Sequence, residues 1–448
     1  MPIISVVIPV CNVERYLPQC LDSVTGQSFQ NIEIICIDDG SSDNSGIILD
    51  EYAKRDCRIH VIHKENTGYG SSMNIGLSYA AGDYIAIVES DDFAEPDMLE
   101  KLYSAAIQSG AEITKANHYN YKGGIDFFCD WVKDFPKNQL INVLEYPSLL
   151  YISNTVWTCL YQKHFLLKHA IAFHETPGAA YQDISFAIQG WLCARKVFLI
   201  NDAVLHYRND NPNSSVNNPY KIFCVFDEYQ WLERKFKELW HTNLEVSEIE
   251  RYFVATKYKD YLGHYYRVAV QYKYAFLYRM WEALEADMQK GRVQEAAFDE
   301  NIWKSVDMIH EDKDEFFRRT TKEMGDLRLD ECNFKNQAVY AEAFVKEMRK
   351  YSQVVIYGAG IVGQKMADKL LCEGISVECF AVSKITDDKT EYKGIPIREL
   401  QTISHWSDTC AVIVAVTERN QYELYQNLAE YHFRNVFRVD SVVREILF

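Results

Sequence analysis

GDYIAIVESDDFAEPD, residues 82–97, runs from an apolar stretch straight into a cluster of carboxylates. Tyr84 to Val88 reads as a buried strand and Pro96 opens a helix, so Glu89, Ser90, Asp91 and Asp92 fall at the carboxyl end of that strand. Three carboxylates within four residues repel one another unless a cation or hydrogen-bond donors offset the charge. Hard oxygen ligands in such a loop suit Mg²⁺ or Mn²⁺ shared with substrate phosphates. The plainer alternative, a solvated acidic loop, is disfavoured by the position of the cluster after a third strand.

Two earlier segments repeat the pattern. SVVIPVCN, Ser5 to Asn12, reads as a strand followed by a helix through Tyr16, Leu17, Cys20, Leu21 and Val24. Ile32 to Ile37 is a β-branched run ending in Asp38, Asp39 and Gly40, with a second helix beginning near Asn44. Ligands of open α/β sheets bind beyond the carboxyl ends of the strands, so Asp39 is placed to accept a hydrogen bond from a base or ribose. DDGSSD is also a sound helix-capping turn, since Asp and Ser satisfy the free N–H groups of a helix start.

Together with NTGYGSSMNIG at Asn66 to Gly76, these motifs make residues 3 to about 215 resemble a family 2 glycosyltransferase of the GT-A fold. IPVCN stands for the usual P-x-Y-N and ESDD for the usual D-x-D-D. The resemblance implies an inverting, metal-dependent transfer of a sugar from a nucleoside diphosphate donor. By motif, Pro9, Val10 and Asp39 line the base pocket, Glu89 approaches the ribose and Asp91 binds Mn²⁺ or Mg²⁺. Asn12, Glu14, Asn66, Gly68, Asn74, Ser90 and Asp92 complete the donor side. Met73 stands where the family often carries Arg, and Cys11 replaces an aromatic residue, so the nucleotide is left open.

An inverting transfer needs a base for the acceptor hydroxyl. In ETPGAAYQDISFAIQGW, residues 175–191, the family's E-D pair reads Gln182-Asp183, which makes Asp183 the general base. A carboxylate stabilising a helix start is the alternative, and the two roles are compatible. LHYRNDNPNSSV, residues 205–216, resembles the segment that closes over the diphosphate. Arg208 then pairs with phosphate oxygens, Ser214 and Ser215 donate to them, and His206 is a candidate third metal ligand, with a packed or surface residue as the alternative. Trp157 offers a stacking platform for a sugar, with core burial as the alternative.

The fold class is α/β in three parts: a GT-A domain over 1–217, a helical region over 218–345 and a Rossmann-like domain over 346–448. In the third part Gly358, Gly360 and Gly363 form a G-x-G-x-x-G turn after the strand Val354–Tyr357, the context of a nucleotide cofactor. The acidic residue that would hold a ribose is missing from the next strand's end, with Glu378 too early and Asp387 and Asp388 too late. In the second part, Arg251 to Met280 carries six Lys or Arg and one acidic residue, against a net charge of -17 for the 448-residue chain. Lys257, Lys259 and Lys273 thus offer a contact for an anionic glycan or lipid headgroups, the alternative being an interdomain helix pair.

No apolar run is long enough to span a bilayer, and the 12 Cys lack a C-x-x-C, so a cytoplasmic protein with reduced thiols is expected, with peripheral membrane contact at most. The expected partners are a nucleotide sugar and a glycan or lipid-linked acceptor of surface-polysaccharide assembly, with no nucleic acid; homo-oligomerisation is left open. Two other classes stay open at this point. One is a degenerate transferase acting as a scaffold, which Glu89, Met73 and Gln182 permit. The other is a NAD-dependent oxidoreductase working through the glycine turn.

Overall fold

The computed structural model describes residues 1–152, 154–179, 181–212, 214, 221–237, 244–321, 344–385, 390–416 and 421–438. The chain divides into two compact units, Met1–Asn217 with Cys224–Lys257, and Asn218–Phe223 with Tyr258–Phe448.

The first unit begins with strand-helix alternation. β1 (Ile4–Val10), β2 (Ile32–Asp39) and β3 (Ile59–Lys64) alternate with α1 (Leu17–Thr25), α2 (Ser45–Arg55) and α3 (Tyr69–Tyr79). β4 (Tyr84–Ile87), the short β5 (Phe93–Ala94) and α4 (Met98–Ser109) follow. β1 is buried along its whole length, as expected of a strand covered on both faces. α1 buries Leu17, Cys20, Leu21 and Val24, one face at helical spacing. β6 (Ile113–Lys122), β7 (Ile125–Cys129), β8 (Leu140–Ile141), β9 (Cys159–Gln162), α5 (Lys163–Lys168), α6 (Gln182–Cys193), β10 (Val197–Arg208) and α7 (Cys224–Lys235) complete it.

The sheet order is β3-β2-β1-β4-β9-β6-β10-β5, with β7 on β6 and β8 on β10. β3, β2, β1 and β4 are mutually parallel, so the loops after them open at one edge. β10 runs parallel to β6, and its end pairs antiparallel with β5, His206 opposite Phe93. That pairing returns the end of β10 to the acidic loop more than a hundred residues earlier.

α8 (Leu244–Tyr265) contributes to both units. The second unit adds α9 (Val270–Gln289), α10 (Glu300–Thr321), β11 (Val354–Tyr357), α11 (Ile361–Cys372), β12 (Cys379–Val382), β13 (Glu391–Tyr392), β14 (Ile395–Glu399), β15 (Ala411–Val414), α12 (Gln421–Glu430) and β16 (Asn435–Arg438). Its sheet order is β13-β14-β12-β11-β15-β16, parallel except for β13. The winding reverses between β11 and β15. Val354, Ile356, Met366, Leu370, Phe380 and Ile413 share one core.

The three-part division of the sequence becomes two units for a physical reason. α7 belongs with the first sheet, where Glu228 meets His174 at 2.9 Å, whereas Tyr272 of α9 hydrogen-bonds the Phe433 carbonyl beside β16. The helical region is therefore shared out between the two cores.

The basic stretch is corrected as well. Lys257 is buried and paired with Glu233 at 2.8 Å, and Lys273 is buried, donating to the Tyr265 carbonyl with its ammonium over the Tyr265 ring. Lys259 is partly exposed, 3.8 Å from Asp260. Two of the three lysines thus lie inside the protein and offer nothing to a headgroup or glycan. Among the described residues no helix is long and apolar enough to cross a membrane, and every cysteine is a free thiol.

Burial pushes the Lys273 amine down from 10.5 to about 8. Between these values the unfolded chain binds the proton that the folded chain has lost, so stability rises with pH from about 8 toward 10.5. Relative to Lys273→Met, the wild type should gain about 1–2 kcal/mol in urea unfolding between pH 7.5 and 9.5. A difference independent of pH would show that the amine titrates normally.

Candidate active site

The four strand-end loops meet as the sequence predicts, but many of the polar groups expected to face a ligand are used to hold the loops in place. Asn12, at φ 54, accepts from the Ser42 and Asp43 amides, and Glu14 accepts from the amide and side chain of Asn44. Both therefore fasten the exit of β1 to the loop after β2. Pro9 and Val10 are buried at the end of β1, Val10 in register with Asp38.

Asp39 accepts from the Thr67 amide at 2.9 Å, the Gly68 amide at 3.0 Å and the Lys64 ammonium. A carboxylate has about four lone-pair sites, so room remains for one donor from a base. Asn66 donates to Cys11 Sγ at 3.5 Å, which brings those two side chains together beside Asp39. Met73 is fully buried, so the position that often holds Arg is a packing position here.

Asn74 is corrected. Its side chain donates to the Phe173 carbonyl and Glu175 and accepts from the Phe173 amide, all within 3.0 Å. It binds α3 to the loop before α6, with both of its N–H donors used within the protein. Gly68 makes the same junction from the backbone. With φ +99 and the Thr176 carbonyl 2.5 Å from where a Cβ would sit, no side chain fits. Gln182 donates to Thr176 Oγ1 and the Gly178 carbonyl, securing the start of α6 with Asp183 in its first turn.

Around the acidic loop, Glu89 accepts from the Tyr69 hydroxyl at 2.6 Å. Loss of solvent, with the charges of Asp91 and Asp183, pushes its carboxyl up to about 8 despite that bond. Asp92 is buried and likewise shifted upward, chiefly by burial and by Asp91. It accepts the Arg208 amide at 2.7 Å, while Oδ2 has no partner among the described residues. Asp91 Oδ2 accepts from Asn211 at 2.8 Å. Ser90 is buried within the loop. Asp183 is near enough to disfavour ionisation of Glu89, Tyr69 and Tyr207. Asp183 therefore lies in the neighbourhood of the acidic loop, in the first turn of α6.

Two expectations at the end of β10 are corrected. Arg208 Nε donates to the Asp91 carbonyl at 2.7 Å and Nη2 to Gln19 at 2.6 Å, with the guanidinium over Tyr16 and Tyr121, both at 4.9 Å. It is buried and engaged by the protein, so it shapes the acidic loop where a phosphate contact was expected. His206 lies between the Phe93 and Tyr119 rings, with Nδ1 2.7 Å from Asp126 and Nε2 2.5 Å from Glu95. Both ring nitrogens face carboxylates, so neither is presented to Asp91 as a ligand. Ser214 lies in the turn after Asn211, its amide bonded to the Asn211 carbonyl, and Ser215 lies outside the described residues.

Trp157 is buried, and Tyr207 stacks on it at 5.1 Å and 2°. Sequence reasoning missed Tyr69, Tyr207 and Asn211. Tyr69 lies within NTGYG and Tyr207 is the tyrosine of the family's Y-R-x-x-x-x-S pattern, so the motifs covered these positions without giving the side chains a role.

In the second unit, a Cβ on Gly363 would lie 1.8 Å from the Gly358 carbonyl and one on Gly358 2.6 Å from Val416, so these two glycines are required by the turn itself. Around Gly360 the space is open to 4 Å. The end of β12 carries Ser383, bonded to Tyr357 at 2.8 Å and to Asn427 at 3.1 Å. Among the described residues no carboxylate stands at the end of β12, and Asp387 and Asp388 lie outside them.

Comparison with known proteins agrees with this geometry. Residues 5–158 match the model of glycosyl transferase family 2. Glycosyltransferase GlyG of Streptococcus pneumoniae is 31% identical over 258 residues, 56% of this chain and 85% of the relative. Cholesterol galactosyltransferase of Borreliella burgdorferi is 30% identical over 260 residues, 52% of this chain and 72% of the relative. S. aureus TarS 1–349, solved with UDP-GlcNAc, superposes with a TM-score of 0.54 at 17% identity, covering 72% of this chain and 91% of that one, a likeness of fold. The chain belongs to glycosyltransferase family 2, with a first unit of the GT-A fold.

Because Gly68 has no room for a side chain, Gly68→Ala should destabilise the first unit by about 1–3 kcal/mol in urea unfolding and lower turnover through the displaced Asp183 loop. A variant with unchanged stability and turnover would show that the loop yields freely.

Proposed function

We propose that this chain transfers a sugar, with inversion, from a nucleoside diphosphate to a hydroxyl of a glycan or lipid-linked acceptor in surface-polysaccharide assembly. The observation that supports this reading is that Asp183 lies close enough to Glu89, at the end of β4, to disfavour its ionisation. GT-A likeness to a structure solved with UDP-GlcNAc and relatives named as glycosyltransferases support it.

The fit of a divalent cation rests on the donor set. Among the described residues no three His, Cys, Asp or Glu side chains are grouped to hold a metal, so an all-protein cage is not available. Mg²⁺ and Mn²⁺ do not need one, since they commonly take one or two carboxylates with waters and substrate phosphates. Asp91 fits that role, since Asn211 holds Oδ2 and, among the described residues, no hydrogen bond uses Oδ1. When bound, the cation would neutralise charge developing on the departing diphosphate.

The remaining steps belong to the protein's own groups. Asp39 orients the base, and Glu89, held by Tyr69, faces the ribose side. The Asp183 carboxylate takes the proton from the acceptor hydroxyl as its oxygen bonds to the anomeric carbon. The bond from that carbon to the diphosphate oxygen breaks on the opposite face, giving an inverted glycoside and a free nucleoside diphosphate. Arg208 and Tyr69 act through the acidic loop, which they keep in one geometry. In the second unit, Gly358, Gly360 and Gly363 would give a nucleotide a backbone cradle at the start of α11, a role separate from transfer.

Asp183→Asn should lower kcat by 10²–10⁴-fold with little change in melting temperature, since Asn keeps the shape and loses the base. Asp91→Asn should lose the dependence of turnover on Mn²⁺. NMR of the product should show an inverted anomeric centre. Retention of configuration, or an Asp183→Asn variant above a tenth of wild-type kcat, would contradict the assignment.

A further inference from the structure

We infer that Tyr207 is a sugar-binding residue of this site, its phenol hydroxyl hydrogen-bonding the transferring sugar between Asp91 and Asp183. The inference rests on the transferase reading and adds a residue to which neither the motifs nor the comparisons assign a role.

Strand geometry comes first. Successive side chains of a strand point to opposite faces, and His206 and Arg208 both lie against Phe93, so Tyr207 takes the other face. The peptide N–H that follows Tyr207 is the one bonded to Asp92 at 2.7 Å, which anchors this residue beside the acidic loop. On its own face the ring is fixed by Trp157, parallel at 5.1 Å, and by the edge of His118 at 6.3 Å. Such packing leaves the side chain little freedom to turn away.

The hydroxyl is the uncommitted part. It makes no hydrogen bond among the described residues, and it is not sealed from solvent, Tyr207 being only partly buried. Loss of solvent and the charges of Asp92, Asp91, Asp183 and Glu89 push its pKa upward, so the group stays a neutral O–H donor. A group that feels both the metal carboxylate and the base lies near the reacting carbon, and the hydroxyls of the transferring sugar are the acceptors there. A fixed phenol with an unused donor, backed by an indole, is an amphipathic surface of the kind a sugar ring takes.

The test separates the donor half of the reaction from transfer. With UDP-glucose, UDP-galactose, UDP-GlcNAc and GDP-mannose as probes and no acceptor present, release of nucleoside diphosphate reports donor hydrolysis by water. Tyr207→Phe keeps the stack on Trp157, so its melting temperature should stay within about 2 °C of wild type. Hydrolysis of the preferred donor should fall about 10-fold, and transfer by the same factor, with the affinity for the free nucleoside diphosphate unchanged. Unchanged hydrolysis overturns the inference, including the case in which transfer alone falls and the contact is to the acceptor. Weakened binding of the free nucleoside diphosphate overturns it too. A wild type inert toward all four donors would remove the transferase reading and this inference together; an active wild type with an unchanged variant removes the inference alone.

Discussion

Mutual repulsion among Glu89, Asp91, Asp92 and Asp183 is the constraint around which the first unit is organised. Loss of solvent pushes the Glu89 and Asp92 carboxyls upward, and the charges of neighbouring carboxylates, Asp91 among them, add to that shift. The fold holds them together with donors rather than with a cage of cations. Tyr69 bonds Glu89, Asn211 bonds Asp91, and the Arg208 amide bonds Asp92. Tyr69 comes from α3, and Arg208 and Asn211 from the end of β10 and the turn after it, so the cluster is also where α3, β10 and the acidic loop are tied to one another. A divalent cation with a diphosphate would relieve the remaining repulsion, which links occupancy of the site to its electrostatics.

Arg208 shows how the same constraint changes a role. A guanidinium beside this cluster was expected to face phosphate, yet its Nε and Nη2 hold the Asp91 carbonyl and Gln19 among three aromatic rings. Its contribution is to the shape of the loop. Asn74 and Asn12 likewise join one loop to the next, and the donor pocket is rigid because its polar residues are occupied. Preorganisation of this kind keeps the loops that carry Asp91 and Asp183 in register.

How far the sequence could be read follows from which interactions are local. Strand runs ending in Asp38–Asp39 and in Glu89–Asp92 are local patterns, and both strands and their exits appear where the periodicity places them. Asp183 was legible because its segment begins an apolar helix that could be matched to a family motif. His206 was misread because the carboxylates facing its nitrogens, Glu95 and Asp126, come from elements 111 and 80 residues away. Lys257 and Lys273 looked like surface charge because nothing local reveals Glu233 across a helix pair or the Tyr265 carbonyl as partners. Tyr207 was passed over beside a more conspicuous Arg. The division into two units also depends on packing that hydrophobic patterning does not encode, with α7 and α9 on different cores.

The central claim is that the acidic loop binds a cation through the donor's phosphates and too weakly to hold it alone. Titration calorimetry of UDP and GDP into the whole protein, with and without Mn²⁺, tests this directly. The account predicts that one nucleoside diphosphate binds at least about tenfold more tightly with Mn²⁺ present, while Mn²⁺ by itself binds weakly. Nucleotide affinity indifferent to the metal, or tight binding of Mn²⁺ without nucleotide, would contradict it.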